Sequence, residues 1–179
     1  MSNMILSLIT AFEMRLPFFL VGVGWQYEQM PINRPSGYPR FQWLQCYEGK
    51  GELIINDKRT TVRPNQGMLL FPNEAHAYHA TSERWMMDWI EFDGIHLQDF
   101  FVRAGLNQSG VYTLSQPHIV MKNIRALPYL ASAHDPLQSI ESSKIVYTIL
   151  LDLLKIYIGG KRRQSIRTIC KAHGGVYVH

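Results

Sequence analysis

The sequence predicts a mainly β body followed by an α-helical C-terminal part. Between about residues 18 and 92, short runs rich in β-branched and aromatic residues alternate with turn residues. After Gly94 apolar residues recur at helical spacing instead. The chain has 179 residues, 46% of them hydrophobic, with 8 Phe, 9 Tyr and 4 Trp. That suits one packed domain, or one domain with a small appendage, and argues against a disordered or collagen-like chain.

The strands expected in the β body are 18–26, 41–47, 52–56, 60–62, 68–71, 77–81 and 85–92. Between them lie Pro35-Ser36-Gly37, Glu48-Gly49-Lys50-Gly51, Asn56-Asp57-Lys58, Arg63-Pro64-Asn65-Gln66-Gly67 and Pro72-Asn73-Glu74. Their glycines and Asn-Asp pair supply the positive-φ positions of tight hairpins. Seven short strands in this span fit a small sandwich or barrel, not a parallel α/β sheet.

Three helices are expected next. The first, 95–104, ends at Gly105. The second, 116–131, is interrupted before Pro128, which cannot donate to the helix ladder. The third has Asp135 as N-cap, Pro136 as first helical residue and Gly159-Gly160 as its stop. On it Ile140, Lys144, Tyr147, Leu151, Leu154 and Ile158 form one stripe, and Ile145, Ile149, Leu153 and Ile156 a second. One stripe can cover the β body; the other then needs its own helical neighbours or a second copy of the chain. The chain divides accordingly into an N-terminal arm (1–16), a β-barrel (17–93), a helical segment (94–160) and a basic tail (161–179).

Charge follows this division. Residues 1–154 hold 12 Lys and Arg against all 14 Asp and Glu, whereas the last 25 residues carry six basic residues and no acid. The body is therefore not a basic nucleic-acid binder. No apolar run is long enough to span a membrane, and Met4 to Ala11 lacks the basic flank of a signal peptide. Cys46 and Cys170 make neither a disulfide framework nor a zinc pattern, so a cytoplasmic location is expected.

No nucleotide-binding loop, GxSxG or HExxH is present. His76 and His79 are three apart and point to opposite faces of a strand. No metal and no cofactor is expected, because a closed metal shell needs three or four convergent ligands. His76 and Tyr78 share one strand face, as do Trp85, Met87 and Trp89. Facing into a barrel, they would offer an aromatic wall with hydrogen-bonding tips, which suits a carbohydrate. Packed together, they would simply be core. Arg34, just before Pro35, is either a solvated loop residue or a donor to sugar hydroxyls or a carboxylate. Trp25 lies near the end of the first strand, as core or as rim.

The run from Ile32-Asn33-Arg34-Pro35 to Glu52-Leu53 resembles the ligand-binding and dimerisation domain of AraC-type transcription regulators. So do the run from Arg63-Pro64 to Phe71-Pro72, then His76-Ala77-Tyr78, and Trp85 through Trp89-Ile90-Glu91-Phe92-Asp93-Gly94. The resemblance spans roughly residues 17–159. It implies a cupin-like, jelly-roll β-barrel with helices outside, a small-molecule effector (a saccharide) in the barrel, and a homodimer through the long helix. Carried over by position, the effector contacts are Arg34, His76, Tyr78 and Trp89. Met87 stands where the family's sugar-binding pattern has a histidine, and Trp25 where it has a threonine. Both alter the cavity, and Trp25 is expected to narrow it. The dimer seam falls on Tyr147, Leu151, Leu154 and Ile158.

Family members usually continue into two helix-turn-helix units. Only 19 residues follow Gly160, so DNA contact is expected only through a C-terminal part absent from this chain. The resemblance implies no catalysis. Two alternatives stay open. One is a metal-independent cupin isomerase or epimerase, with His76 as base, Tyr78 as acid and Asp88 or Glu91 as partner. The other is an interaction fragment that pairs with a full-length relative.

Overall fold

The structure, a computed structural model, describes residues 3–131 and 135–155, and the backbone course of 156–173. Eight antiparallel strands form one sheet: β1 (Met4–Leu6), β2 (Phe19–Glu28), β3 (Ile32–Arg34), β4 (Phe41–Ile55), β5 (Lys58–Val62), β6 (Gln66–Leu70), β7 (His76–Asp93) and β8 (Gly110–Thr113). Their order is β1-β2-β7-β4-β6-β8, with β3 also pairing β7 and β5 also pairing β4. The helices are α1 (Leu97–Arg103), α2 (Pro117–Ala131) and α3 (Pro136–His173).

The β body and its helical end stand as expected, but two pairs of the expected strands are each one long strand. The expected strands 41–47 and 52–56 are one, β4, and 77–81 and 85–92 are one, β7. The register between them shifts at Cys46–Gly51, which includes the expected turn Glu48-Gly49-Lys50-Gly51. Gly49 shows why. At φ 73° it takes a conformation that glycine alone adopts freely, and a Cβ there would lie 1.9 Å from the Arg84 carbonyl oxygen. A glycine in that state makes a bulge that bends a strand as readily as a turn that ends one. Beyond the bulges the two strands continue together, Gly51 opposite Ala80 and Ile54 opposite Ala77, and so carry the sheet round into a barrel.

β1, β3 and β8 escaped the sequence reading because three or four residues are too few to show an alternation. α2 is not interrupted at Pro128, which sits within it. Proline loses one ladder bond, but Ile124, Leu127 and Ala131 on the buried side hold the helix to the sheet. Asp135 caps α3 as expected, its Oδ1 accepting the Leu137 N–H at 3.0 Å. The glycine pair does not stop that helix, whose backbone runs on to His173. Glycine costs a helix about 1 kcal/mol relative to alanine, but blocks no ladder bond.

Two cores lie on opposite faces of the sheet. Phe41, Trp43, Ile90 and Phe92 face outward onto Phe101, Ile124, Leu127, Ile149 and Leu153 of the helices. Leu44, Cys46, Leu53, Met68, Tyr78, Trp85 and Met87 fill the barrel interior. Alternation along β4 and β7 assigns each residue its side. Leu44, Tyr78 and Trp89 of this interior core also line a cavity.

Candidate functional site

A cavity of about 250 Å³ opens between β1, β2, β3, β4 and β7. Trp89 and Tyr78 line it from β7, Tyr27 from β2, Arg34 from β3 and Gln42 from β4, with Tyr38 on the β3–β4 connection. Met4 and Leu6 of β1 close one side. β1 reaches that place by pairing with β2, Met4 opposite Gly24 and Leu6 opposite Gly22. Gly24 is required by close approach: a Cβ there would stand 2.3 Å from the Trp89 indole. The ring packs against the bare backbone there.

Of the residues singled out in the sequence, three meet on this wall: Arg34, Tyr78 and Trp89. Arg34 is not a solvated loop residue. It ends β3, opposite His76, donates from Nη1 to Gln42 Oε1 at 2.8 Å, and lies over the Tyr38 ring at 4.3 Å. His76 stands behind the wall, its ring parallel to Tyr78 at 6.0 Å between centroids. Its Nδ1 is 2.7 Å from the Glu74 carbonyl, so the proton belongs there and Nε2 is left a buried acceptor without a partner. Burial lowers the His76 pKa and keeps the ring neutral.

Met87 lies deeper, fully buried in the barrel core, and does not line the cavity. Trp25 does not line it either, so the expected narrowing does not occur. β2 carries a bulge there: Gly24 faces Trp89 and Tyr27 faces Met87, three residues against two. The extra residue resets the alternation, so Gly24 and Tyr27 share the inner side and Trp25 falls between them. The bulge is held by Asp88 Oδ1, which accepts the Gln26 N–H at 2.8 Å. Asp88 is fully buried on the helix side, and its Oδ2 accepts from Arg125 Nε of α2 at 2.7 Å. It therefore points away from the cavity and offers His76 no carboxylate.

Glu91 is the wall residue with the most chemistry, and the reading of sugar contacts left it out. Its Oε1 accepts from Gln42 Nε2 at 2.6 Å and its Oε2 from the Tyr38 hydroxyl at 2.8 Å. Burial and that bond push the Tyr38 hydroxyl up to about 12, and burial does the same to Tyr78. Both phenols are therefore firm donors at neutral pH. The period-2 rule that grouped Trp85, Met87 and Trp89 extends by one step to Glu91, so its signal was in the sequence. Tyr38 lies in a connection without periodicity, and no local pattern marks it.

The arm beyond β1 is tied to α3. Glu13 Oε1 accepts from the Ser139 hydroxyl at 2.6 Å, and Oε2 accepts from the Thr10 N–H at 2.7 Å and the Thr10 hydroxyl. Burial alone would raise this carboxyl, but these donors outweigh it and hold the pKa down at about 2. Among the described residues, no group of three or more His, Cys, Asp or Glu is placed to hold a metal ion. No helix among them is long and apolar enough to cross a membrane.

The family model described as AraC-like ligand binding domain matches residues 21–152, from within β2 through β8 and most of the helical part. The chain belongs to that family. The AraC-like transcriptional activator CuxR shares the fold, with a TM-score of 0.51 at 12% identity over 80% of this chain and 52% of CuxR. Fatty-acid-bound ToxT from Vibrio cholerae aligns at a TM-score of 0.44 and 10% identity over 79% of this chain and 54% of ToxT. A Cupin_2 domain of a regulator from Enterobacter cloacae aligns at 0.34 and 17% over 50% of this chain and 95% of that domain. The chain thus spans about half the length of the AraC-type structures it matches. Comparison with the curated proteins finds no match. For an AraC-like ligand-binding domain, the cavity among Arg34, Tyr78 and Trp89 is the candidate effector site.

Proposed function

We propose that this chain is the effector-sensing and dimerisation module of an AraC-type transcription regulator. A saccharide enters the cavity and controls DNA binding by a helix-turn-helix part outside residues 1–179. The observation that carries this reading is the pairing of flat aromatic walls with polar tips around one small cavity. The C–H face of a sugar stacks on Trp89 while its hydroxyls meet Arg34, Gln42, Tyr38 and Tyr78. A ligand that also touches Met4 and Leu6 favours the docked arm, and Glu13 ties that arm to α3. The effector then acts by binding one arrangement better than another.

The dimer proposal rests on α3. Val146, Ile149, Leu150 and Leu153 are buried against the body, while Leu137, Ile140, Tyr147 and Leu151 are exposed and Leu154 is half-buried. Tyr147 stacks on Phe18 at 5.1 Å and presents its remaining face outward. The side chain of Ile158 lies outside the described residues. A homodimer through this stripe is disrupted by Leu151→Asp, read as a halved mass in light scattering. A monomeric wild-type chain would remove the dimer from the reading.

Trp89→Ala should abolish saccharide binding in a thermal-shift and calorimetric screen while circular dichroism stays native. Normal binding by this variant would take the site away from the cavity.

A further inference from the structure

We infer that the cavity is built for a saccharide bearing a protonated amine, and that Glu91 is the residue that selects it. This rests on the saccharide reading above and sharpens it to one charge class.

Glu91 is a buried carboxylate, 6% exposed, on the cavity wall. Both of its oxygens are bonded, but to neutral donors, the Gln42 amide and the Tyr38 hydroxyl. No Lys, Arg or His nitrogen lies within 4 Å of it among the described residues. Asp88, three residues earlier and also buried, shows what this strand does with an acid that serves packing: Arg125 reaches it at 2.7 Å. Arg34, the cation on the cavity wall, is held off from Glu91 by the interposed Gln42 amide. A buried charge left without a counter-charge is costly, and an entering cation relieves that cost.

The carboxylate has further acceptor capacity. It offers about four lone-pair directions, and two are used. The cavity is also lined by the aromatic residues Trp89 and Tyr27, and an aromatic face attracts a cation through its quadrupole. The cavity is thus polarised. Its negative group is buried, and its positive group, Arg34, is half-buried. An amino sugar fits with its ammonium against Glu91 and its hydroxyls toward Arg34. A sugar acid or sugar phosphate would set its own charge against Glu91 at close range, which disfavours it.

The test compares matched probes on the whole chain by calorimetry, at about pH 6, where amines of this kind carry their proton. The probes are glucosamine, galactosamine and mannosamine, the three parent hexoses, the three N-acetyl derivatives, and gluconate. At least one amine should bind about tenfold or more tighter than its parent hexose and its N-acetyl form, with gluconate weakest. Glu91→Gln should bring the ratio of amine to hexose to about 1. The comparison within the wild-type chain stands on its own if that variant folds poorly. Equal affinities for amine and hexose, or tighter binding of gluconate, would overturn the cation subsite and leave the saccharide reading intact. Failure of every probe would overturn both.

Discussion

The two faces of β4 and β7 are made by neighbouring residues and do unlike work. Phe41, Trp43, Ile90 and Phe92 meet the helices in a closed apolar layer, while Gln42, Leu44, Trp89 and Glu91 turn into the barrel and reach the cavity. A single step along either strand therefore crosses from a position that holds the fold to one that meets a ligand. Stability and binding should separate residue by residue along one strand.

Phe92→Ala is the largest expected effect. Phe92 is fully buried against Phe41 and Phe101, and its removal should lower unfolding free energy by about 3–5 kcal/mol in a urea titration. Its neighbour Glu91 should instead change binding selectivity. Equal loss of stability at both positions would break the contrast between the faces.

Asp88→Asn comes next. Asp88 holds the β2 bulge and Arg125 together, and weakening both bonds should cost about 2 kcal/mol in the same titration. Since the bulge sets Tyr27 on the cavity wall, saccharide affinity should fall as well. An unchanged affinity would separate the bulge from the site.

Much of this contrast was legible in the sequence, and the gaps have physical causes. Turn residues and aromatic runs marked the β body, and Asp135-Pro136 marked the start of α3. The strand boundaries were obscured because β4 and β7 each pass through a half-exposed, polar stretch, 47–50 and 81–84, where the apolar pattern breaks although the strand does not. A positive-φ glycine at 49 does not announce whether the chain turns back or merely bends. At the cavity, Arg34, Tyr78 and Trp89 come together on one wall, whereas Trp25 and Met87, carried there by position from the family resemblance, do not line it. The bulge in β2 and the depth of Met87 are tertiary facts. Tyr38, Met4 and Leu6 reach the cavity through a loop and a three-residue strand, and short pieces of chain carry no period to read.

Gly24→Ala sharpens the comparison, because it should cost binding as well as stability. The added methyl collides with the Trp89 indole, so ligand binding should weaken by more than about tenfold while stability falls by about 1–3 kcal/mol. Unaltered binding would show that the close seat of Trp89 on Gly24 is dispensable.

The smallest effects are in pH. Tyr38 and Tyr78 keep their protons in the folded chain to about 12, while the unfolded chain loses them near 10. Stability is therefore undiminished below pH 10 and lost as pH rises toward 12, and tyrosinate absorbance for these two residues should appear only there. Glu13 works in the opposite direction. Its folded pKa of about 2 lies below the ordinary 4.5, so its contribution is present above 4.5 and lost as pH falls toward 2. Glu13→Gln should flatten that acid limb; an unchanged acid profile would detach the arm from α3.

The four tryptophans allow the most direct test. Trp89 lines the cavity, Trp43 faces the helices, Trp85 lies in the barrel core and Trp25 sits outside the cavity. With the indole nitrogens labelled, titration with the saccharide panel should move the Trp89 resonance saturably and leave that of Trp43 in place. A panel in which binding occurs but Trp89 does not respond, or in which no saccharide moves any indole, would contradict an effector site in this cavity.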